Sequence, residues 1–363
     1  LDGQIDNNQN YGGFDSFLIK YEKKGEREWA KQLGTSENDL SFDVAIYQSQ
    51  YIYITGNTYG KLDGNFNAGN TDIFLTKYDI NGTKYWTRQI GTNKYESGQS
   101  VTTDLNGNIY ITGSTMGDLE TGQSQNHYDP FIAKYNSNGT SEWISQFGSS
   151  ADDFGESIAV DSSNNIYVTG LTQGNMSNNI SLGTNDLFLA KYDKAGNLGW
   201  IKQLGTANTD YGIAIAVDAL DNVYVTGYTS GEIDGNISFG SGDFFVSKYN
   251  YLGVKQWTEQ FGTTSEDFPF DMAIDSENNI YVTGRTLGNF DENINAGDWD
   301  IFILKLSNTG QKKWVRQYGS IRYDTGTSIT INSENHIFVT GYNFHSNGGD
   351  TYILKYDVDG NLQ

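Results

Sequence analysis

The 363-residue chain has no cysteine, two prolines and three histidines, and its Lys and Arg residues are outnumbered by Asp and Glu, 23 to 45. The absence of cysteine excludes disulfides and thiolate metal sites. With a net charge of −22 and no basic cluster, nucleic acid and anionic membrane surfaces are poor partners, whereas cations suit such a surface. No apolar run approaches the ~20 residues of a membrane-spanning helix.

The motifs of common enzyme classes are also missing. The sequence contains no G-x-S-x-G elbow, H-E-x-x-H or P-loop. His127, His336 and His345 are scattered and have no recurring acid or nucleophile partner. Carboxylates are so frequent that no glycosidase pair can be chosen from sequence. We therefore expect a protein that is not an enzyme, and a hydrolase or lyase with an axial site, carried by Asp153 and Asp210, is the less favoured alternative.

Strand-forming and turn-forming residues are abundant instead. Aromatic residues make up 14% of the chain, and there are 43 glycines. Tyr, Phe, Val, Ile and Thr favour half-buried pleated surfaces, while Gly, Asn and Asp supply turns. This composition predicts an all-β protein.

A period of 57 residues runs through the sequence. Within one period we expect four strands, A ("SIAVD", 157–161), B ("IYVTG", 166–170), C ("DLFLAKYD", 186–193) and D ("WIKQLG", 200–205), which form an antiparallel meander. A lysine, a tryptophan and a glutamine each recur every 57 residues. The three series are Lys20, Lys77, Lys134, Lys191, Lys248 and Lys305; Trp29, Trp86, Trp143, Trp200, Trp257 and Trp314; and Gln32, Gln89, Gln146, Gln203, Gln260 and Gln317.

Four strands per repeat, arranged radially, predict a β-propeller of four-stranded antiparallel blades, and a solenoid is the less suitable alternative. The chain supplies six A, six B, seven C and six D strands. We favour six blades over seven, in a single domain over residues 1–363 whose N-terminal and C-terminal strands share a blade. The surplus C strand could cap an edge or mediate self-association.

The motifs "DxFLxKYDxxGxxxW", "WxxQxG" and "NIYVTGxT" resemble the bacterial SBBP-type beta-propeller repeat over nearly the whole chain. This resemblance implies a secreted or cell-surface bacterial protein, and it implies little about biochemical role. The layout is also similar to that of NHL-type propellers, which implies that strand A is innermost. The family name implies seven blades, against the six counted above.

The Trp and Lys positions are most simply structural. A Trp at one place in each repeat predicts packing between blades. A recurring Lys predicts an ion pair with a carboxylate, because an unpaired buried ammonium is costly.

An acid recurs just before strand A, and we call these residues the acid series: Asp39, Glu96, Asp153, Asp210, Asp267 and Asp324. If strand A is innermost, six carboxylates surround one end of the axis and could attract cations. The alternative is that each carboxylate caps its own turn or pairs with a lysine.

The loops between strands B and C carry alternating oxygen-bearing side chains, the arrangement that a hard cation such as Ca²⁺ needs. They resemble the calcium loops of integrin-type propellers with one extra residue, and solvated Asx turns are the alternative. The three best sets are Asp63, Asn65, Asn67 and Asp72; Asp234, Asn236, Ser238 and Asp243; and Asp291, Asn293, Asn295 and Asp300. The N-terminus supplies a partial set, Asp2, Gln4 and Asp6.

Trp299 is the one tryptophan outside the repeat position, and it lies in a B–C loop. It could stack on a sugar ring, as could Tyr59, or fold back over the blade edge. Our preferred hypothesis is an extracellular or cell-surface scaffold or adhesion propeller, a structural protein that binds calcium and a surface protein or polysaccharide. A glycan-binding, lectin-like propeller is the alternative, and neither hypothesis involves membrane insertion.

Overall fold

A computed structural model describes residues 5, 8–120, 124–345 and 348–363. These residues form 25 strands and two short 3-10 turns, Leu62–Gly64 and Ile233–Gly235. The strands are β1 (Ser16–Tyr21), β2 (Arg27–Leu33), β3 (Asp39–Tyr47), β4 (Tyr51–Thr58), β5 (Asp72–Asp79), β6 (Lys84–Ile90), β7 (Glu96–Thr103), β8 (Ile109–Gly117), β9 (Ser124–Tyr135), β10 (Ser141–Gln146), β11 (Asp153–Val160), β12 (Ile166–Thr172), β13 (Asp186–Tyr192), β14 (Leu198–Leu204), β15 (Asp210–Val217), β16 (Val223–Thr229), β17 (Asp243–Tyr249), β18 (Lys255–Phe261), β19 (Asp267–Ile274), β20 (Ile280–Thr286), β21 (Asp300–Leu306), β22 (Lys312–Tyr318), β23 (Tyr323–Ile331), β24 (Ile337–His345) and β25 (Gly348–Tyr356).

The chain divides into two compact units. Unit 1 comprises Leu1–Val160 and Asp193–Asn197, and unit 2 comprises Asp161–Tyr192 and Leu198–Gln363. Unit 1 contains the two-stranded sheet β1–β2 and the four-stranded sheets β3–β6 and β7–β10. Unit 2 contains the four-stranded sheets β15–β18 and β19–β22 and the three-stranded sheet β23–β25. The third repeat supplies β11 to unit 1 and the antiparallel strands β12–β14 to unit 2.

Burial follows the order of strands within a blade. Strands B and C lie between A and D, so both of their edges are hydrogen-bonded, and β16 is buried along its whole length. Edge strand D is more open, and Leu198 of β14 is 46% exposed. This explains why the B and C motifs are nearly continuous apolar runs instead of alternating ones.

Asx turns close the hairpins between the strands. In the A–B turn of the third repeat, Asp161 Oδ1 accepts hydrogen bonds from the backbone amides of Ser163 and Asn165, and Asn164 has a φ of 63°. In the C–D turns the left-handed position is a glycine, such as Gly253 with a φ of 76°. Both turns match the Asn, Asp and Gly content that predicted them.

The strands of the described residues give six A, six B, seven C and six D, as the sequence predicts. The prediction of an all-β, six-bladed propeller with four antiparallel strands per blade is therefore confirmed as the fold class. In the last sheet β25 occupies the C position, while β1 pairs with β2. A blade shared by the two ends of the chain, and a single domain over 1–363, stay predictions.

The repeated tryptophans pack within and between repeats. Trp200 lies against Tyr167 of the adjacent B strand, with ring centroids 6.1 Å apart. Gly253, in the C–D turn of the following repeat, approaches the same indole so closely that a Cβ there would lie 2.7 Å from it. The recurring glycine and tryptophan therefore form one packing contact per repeat.

The repeated lysines differ from the prediction. Of the six repeated lysines, Lys20 and Lys134 alone pair with a carboxylate of the described residues, Glu28 at 2.7 Å and Glu142 at 3.0 Å. The prediction of a carboxylate partner is wrong for four others, whose Nζ atoms donate to backbone carbonyls of the following C–D turn: Lys77 to Ser137, Lys191 to Tyr251, Lys248 to Asn308 and Lys305 to Val358. Tyrosine rings beneath these ammonium groups take the place of the carboxylate, and burial lowers the pKa of all four.

Candidate functional site

The first carboxylate of each predicted calcium loop is engaged by a lysine of the neighbouring D strand. Asp63 lies 2.5 Å from Lys84 Nζ and also accepts a hydrogen bond from Thr87 Oγ1. The other two loops repeat the ion pair: Asp234 with Lys255 at 2.5 Å, and Asp291 with Lys312 at 2.6 Å. All three aspartates have a positive φ, between 51° and 56°. Their negative charge is thus already balanced within the repeat.

The middle residues of these loops serve the loop backbone. Asn65, Asn236 and Asn293 donate their side-chain amides to the carbonyl three residues earlier, on Leu62, Ile233 and Phe290. Of the next predicted ligands, Asn67 donates to Gly60, Ser238 to Gly240, and Asn295 to Thr286 and Asp298. These side chains therefore hold the loop backbone in place, and the Oδ1 of Asn295 also accepts a hydrogen bond from the backbone amide of Gly297.

The last carboxylate of each loop opens strand C and is buried. Asp72, Asp243 and Asp300 are at most 1% exposed. In each, Oδ2 accepts hydrogen bonds from a loop amide and from the repeated glutamine, as Asp243 does from Phe239 at 2.8 Å and Gln260 at 2.7 Å. Since the first and last carboxylates have different partners, the observed contacts do not gather a ligand set, and calcium binding stays a prediction. Asp2, Gln4 and Asp6 lie outside the described residues.

The acid series is buried in its own turns. Each of the six carboxylates accepts a hydrogen bond from the backbone amide four residues earlier, and Asp267, for example, accepts one from Thr263 at 2.6 Å. None of the six is more than 2% exposed. The same contact occurs in every repeat: Thr35 to Asp39, Thr92 to Glu96, Ser149 to Asp153, Thr206 to Asp210, Thr263 to Asp267 and Ser320 to Asp324. The geometry is that of turn caps, the alternative weighed above, and not of carboxylates open to solvent.

Each member of the acid series lies close to the carboxylate that opens the preceding C strand. In the best example, burial raises the pKa of Asp267 to about 6, and the nearby charge of Asp243 adds to the increase. Gly262 contacts the same carboxylate, and a Cβ there would lie 2.1 Å from Asp243 Oδ1. The acid, the strand-opening Asp and the glycine that ends strand D therefore form one structural unit, which explains three recurring residues of the repeat.

A different arrangement occurs in unit 2, where aromatic rings gather at the ends of the A and B strands. We call these residues the aromatic surface: Tyr211, Tyr228, Phe268, Phe270, Trp299, Tyr323, Tyr342 and Phe344. Tyr211 lies opposite Tyr228, and Tyr323 lies opposite Phe344, across A–B strand pairs. Contacts with centroids 5.0 to 6.4 Å apart join the rings in two groups of four: Tyr211, Tyr228, Phe268 and Phe270; and Trp299, Tyr323, Tyr342 and Phe344. Except for Tyr228, which is 9% exposed, all are partly or fully exposed.

Arg285 lies among these rings, opposite Phe268 on strand β20. Its guanidinium carbon is 4.4 Å from the ring centre of Trp299, 5.2 Å from that of Tyr323 and 5.3 Å from that of Phe270. Burial lowers its pKa, while the nearby Tyr342 and Glu266 oppose that change. An arginine surrounded by aromatic faces and still partly exposed can bind an anion beside a stacked ring.

Trp299 is half-buried and packs onto Arg285 and Tyr323. It therefore folds back over the strand ends, as one of its two interpretations predicted, but onto neighbours that are themselves accessible. Tyr59, the other predicted sugar contact, belongs to unit 1, is 44% exposed and lines an open cavity with Thr35 and Asn67. Sequence reasoning singled out Trp299 and missed the residues around it.

The residues around Trp299 could have been found from a repeat position whose residue type varies. The sixth residue counted from the start of motif B is small or apolar in the first three repeats and aromatic or cationic in the last three: Asn57, Ser114, Leu171, Tyr228, Arg285 and Tyr342. A search for constant positions passes over such a series.

Two histidines have an acid partner that the sequence did not predict. His127 Nδ1 lies 3.2 Å from Asp129 Oδ1, and His336 Nδ1 lies 3.4 Å from Glu334 Oε2. Among the described residues, no group of three His, Cys, Asp or Glu residues is arranged to hold a metal ion.

The fold and the repeated contacts define a β-propeller repeat protein. Four stretches of the chain, residues 86–120, 142–175, 199–234 and 256–291, match the family described as "SBBP: Beta-propeller repeat". The predicted resemblance to this repeat is confirmed for these stretches, and a bacterial origin stays a prediction.

Two curated proteins are similar to this chain at less than 30% identity. The regulatory protein FlaEY of Caulobacter vibrioides is 23% identical over 378 residues, which is 92% of this chain and 39% of that protein. An uncharacterized WD repeat-containing protein, L264, of Acanthamoeba polyphaga mimivirus is 28% identical over 228 residues, 49% of this chain and 16% of that protein. The chain therefore spans well under half the length of either relative.

Solved structures support the fold alone. The polysaccharide lyase PL25 ulvanlyase bound to -[GlcA(1-4)Rha3S]- has a TM-score of 0.51 at 11% identity, covering 88% of this chain and 81% of that one. The polysaccharide lyase Uly1 also has a TM-score of 0.51, at 10% identity, covering 96% of this chain and 86% of that one.

Among the described residues, no helix is long and apolar enough to cross a membrane.

Proposed function

We propose that this protein is a non-enzymatic, extracellular or cell-surface adhesion propeller that binds a polysaccharide through the aromatic surface of unit 2. The observation that supports this most is the set of eight rings, seven of them accessible, on the strand ends of three repeats, in two groups that both contact Arg285. Aromatic rings bury large apolar areas at little entropic cost, and a polymer of sugar rings offers matching flat faces.

The proposal fits the other parts of the chain. The scaffold residues of each repeat have internal partners, so the ligand must use residues that differ between repeats. Binding without catalysis fits the missing catalytic motifs. Two proteins that share the fold are polysaccharide lyases, so the same architecture can present a polysaccharide-binding surface.

A polysaccharide array followed by affinity electrophoresis tests this function. We expect at least one polymer to bind, and Trp299→Ala to weaken that binding about tenfold, or ~1.4 kcal/mol, because the ring forms the centre of the surface. Tyr85→Ala is the matched control, since Tyr85 is 57% exposed in unit 1, outside the aromatic surface, and should leave binding unchanged.

Two outcomes would count against the proposal. Binding that is equal in the wild type and Trp299→Ala would place the site elsewhere. An unsaturated sugar product, detected by ultraviolet absorbance after incubation with the bound polymer, would replace adhesion with lyase activity.

A further inference from the structure

The geometry points to Arg285 as an anion-binding residue that receives a carboxylate of the bound polymer, so that the preferred ligand is a polysaccharide containing uronic acid. This inference rests on the proposed function, because it assigns the chemical class of the ligand at the same aromatic surface. It concerns one residue, Arg285, whose hydrogen-bonding capacity the described residues leave unused.

The guanidinium of Arg285 is held by rings and not by hydrogen-bond acceptors. Its carbon lies within 5.7 Å of four ring centres, those of Phe268, Phe270, Trp299 and Tyr323. Its Nε is buried and has no hydrogen-bond partner among the described residues. A buried donor without an acceptor has lost its hydration without compensation, and the cost is larger when the group is charged, so an anionic ligand at this position would be stabilised.

Two other arginines of the same chain show what a structural role looks like. Arg88 lies over Trp86 and Arg316 lies over Trp314, each with its guanidinium carbon 5.1 Å from the ring centre. In both, Nε donates to the backbone carbonyl of a turn glycine, at 2.7 and 2.9 Å. Arg285 makes the same kind of contact with aromatic rings, but no carbonyl of the described residues accepts a hydrogen bond from its Nε.

A carboxylate is the anion that matches this site best within a polysaccharide. The planar guanidinium can donate two parallel hydrogen bonds to it, while the sugar ring that carries the carboxylate rests on the adjacent aromatic faces. Within the part of the chain that the structure describes, the acid whose charge acts on Arg285 is Glu266, and its carboxylate lies 3.5 Å from the hydroxyl of Tyr228. Burial lowers the pKa of Arg285, and a ligand carboxylate would compensate for that loss of solvation.

The net charge of −22 does not prevent such binding. Repulsion between distant charges is screened beyond a Debye length of about 8 Å at physiological salt, whereas a contact with a partly buried guanidinium is screened much less. We therefore expect the affinity for an acidic polymer to rise when salt is increased from 10 to about 150 mM, contrary to the behaviour of a basic surface.

The experiment compares polymers that differ only in the carboxylate. Polygalacturonate, alginate and hyaluronate are each tested with their carboxyl-reduced forms, by affinity electrophoresis and titration calorimetry, against wild type, Arg285→Gln and Arg285→Lys. Wild type is expected to bind at least one native polymer at least tenfold more tightly than its reduced form. Arg285→Gln should abolish that preference, and Arg285→Lys, which keeps the charge but not the planar fork, should retain part of it. Arg88→Gln is the control and should keep the full preference.

The outcomes separate the two proposals. If wild type binds native and reduced polymers equally, or if Arg285→Gln keeps the preference, the carboxylate subsite is wrong while the polysaccharide function stands. If no polysaccharide binds at all, the proposed function fails and the subsite fails with it. Unchanged thermal melting of Arg285→Gln is needed to show that a loss of preference is not a loss of folding.

Discussion

Ser114 and Arg285 occupy the same place in two repeats, the sixth residue of strands β8 and β20, and they differ in how their polar atoms are used. Ser114 is 4% exposed, and its hydroxyl accepts a hydrogen bond from the backbone amide of Gly155 at 3.3 Å. Arg285 lies among aromatic rings, with a buried Nε that has no partner among the described residues. The hydrogen bond of Ser114 fits a structural role, whereas a charged donor left without an acceptor among accessible rings fits a ligand-binding role.

The scaffold half of this comparison is tested most strongly at Gly205. A Cβ there would lie 2.1 Å from Asp186 Oδ1, so Gly205→Ala should lower the free energy of unfolding by about 3 kcal/mol or more, measured by urea denaturation. Gly199→Ala is the control and should cost less than about 1 kcal/mol, because Gly199 lies on β14, the strand that ends just before Gly205, and a Cβ there would lie 3.2 Å from the nearest heavy atom. Equal losses would show that the carboxylate contact does not impose the glycine.

The buried acid pairs give the scaffold a pH dependence. Asp267 has a pKa of about 6 when folded against an ordinary value of 3.8, so the folded protein holds this proton more tightly than the unfolded chain. Its stabilising contribution, up to about 3 kcal/mol, is complete below about pH 4 and is lost as the pH rises through 6. Asp267→Asn should therefore melt with a smaller change between pH 4.5 and 7.5 than wild type. Identical pH profiles would contradict the buried pair.

Exchanging the two compared residues should separate binding from folding. Arg285→Ser is expected to reduce binding of the preferred acidic polymer about tenfold, or ~1.4 kcal/mol, and to lower the thermal midpoint less than Ser114→Arg does, because it loses ring contacts but no hydrogen bond at Nε. Ser114→Arg should instead be destabilising, since it removes the acceptor of Gly155 and places a charge at a 4%-exposed position. If Arg285→Ser unfolds the protein and Ser114→Arg does not, the assignment of the two roles is reversed.

The smallest effect is expected at the B–C loops. The charge of Asp63 is already balanced by Lys84, so EDTA should leave the melting temperature unchanged. The ion pair itself is exposed and contributes at most about 1 kcal/mol. A fall in EDTA that Ca²⁺ restores would support the predicted calcium sites instead. The variant Lys84→Met leaves Asp63 without its lysine partner. If the loop geometry permits calcium binding, the melting temperature of this variant should rise when Ca²⁺ is added.

The constant residues of the repeat made the fold readable from sequence. Strand count, hairpin turns and the Trp and Gly positions follow from period, alternation and turn chemistry, which act locally. The lysine partners did not follow, because Lys191 reaches the carbonyl of Tyr251, 60 residues away. Alternating oxygens in a loop also do not reveal whether an amide such as that of Asn65 presents its oxygen or its nitrogen.

The candidate site was harder still. Trp299 stood out as the one tryptophan off its repeat position, but the residues that surround it come from four strands, β19, β20, β23 and β24. Nothing in the sequence of the B motif distinguishes Arg285. It stands out because its buried Nε has no hydrogen-bond acceptor among the described residues. Such an unmet requirement becomes visible only once the neighbours are known in three dimensions.

The central claim is that Arg285 binds a carboxylate at the aromatic surface, and the side-chain Nε–H resonance of this residue tests it most directly. With ¹⁵N-arginine labelling, titration with the uronic-acid polymer that binds best should shift the Arg285 resonance in proportion to saturation, and should leave Arg88 and Arg316 unmoved. If the polymer binds while Arg285 stays unshifted, the assignment of this residue as the ligand's anchor is wrong.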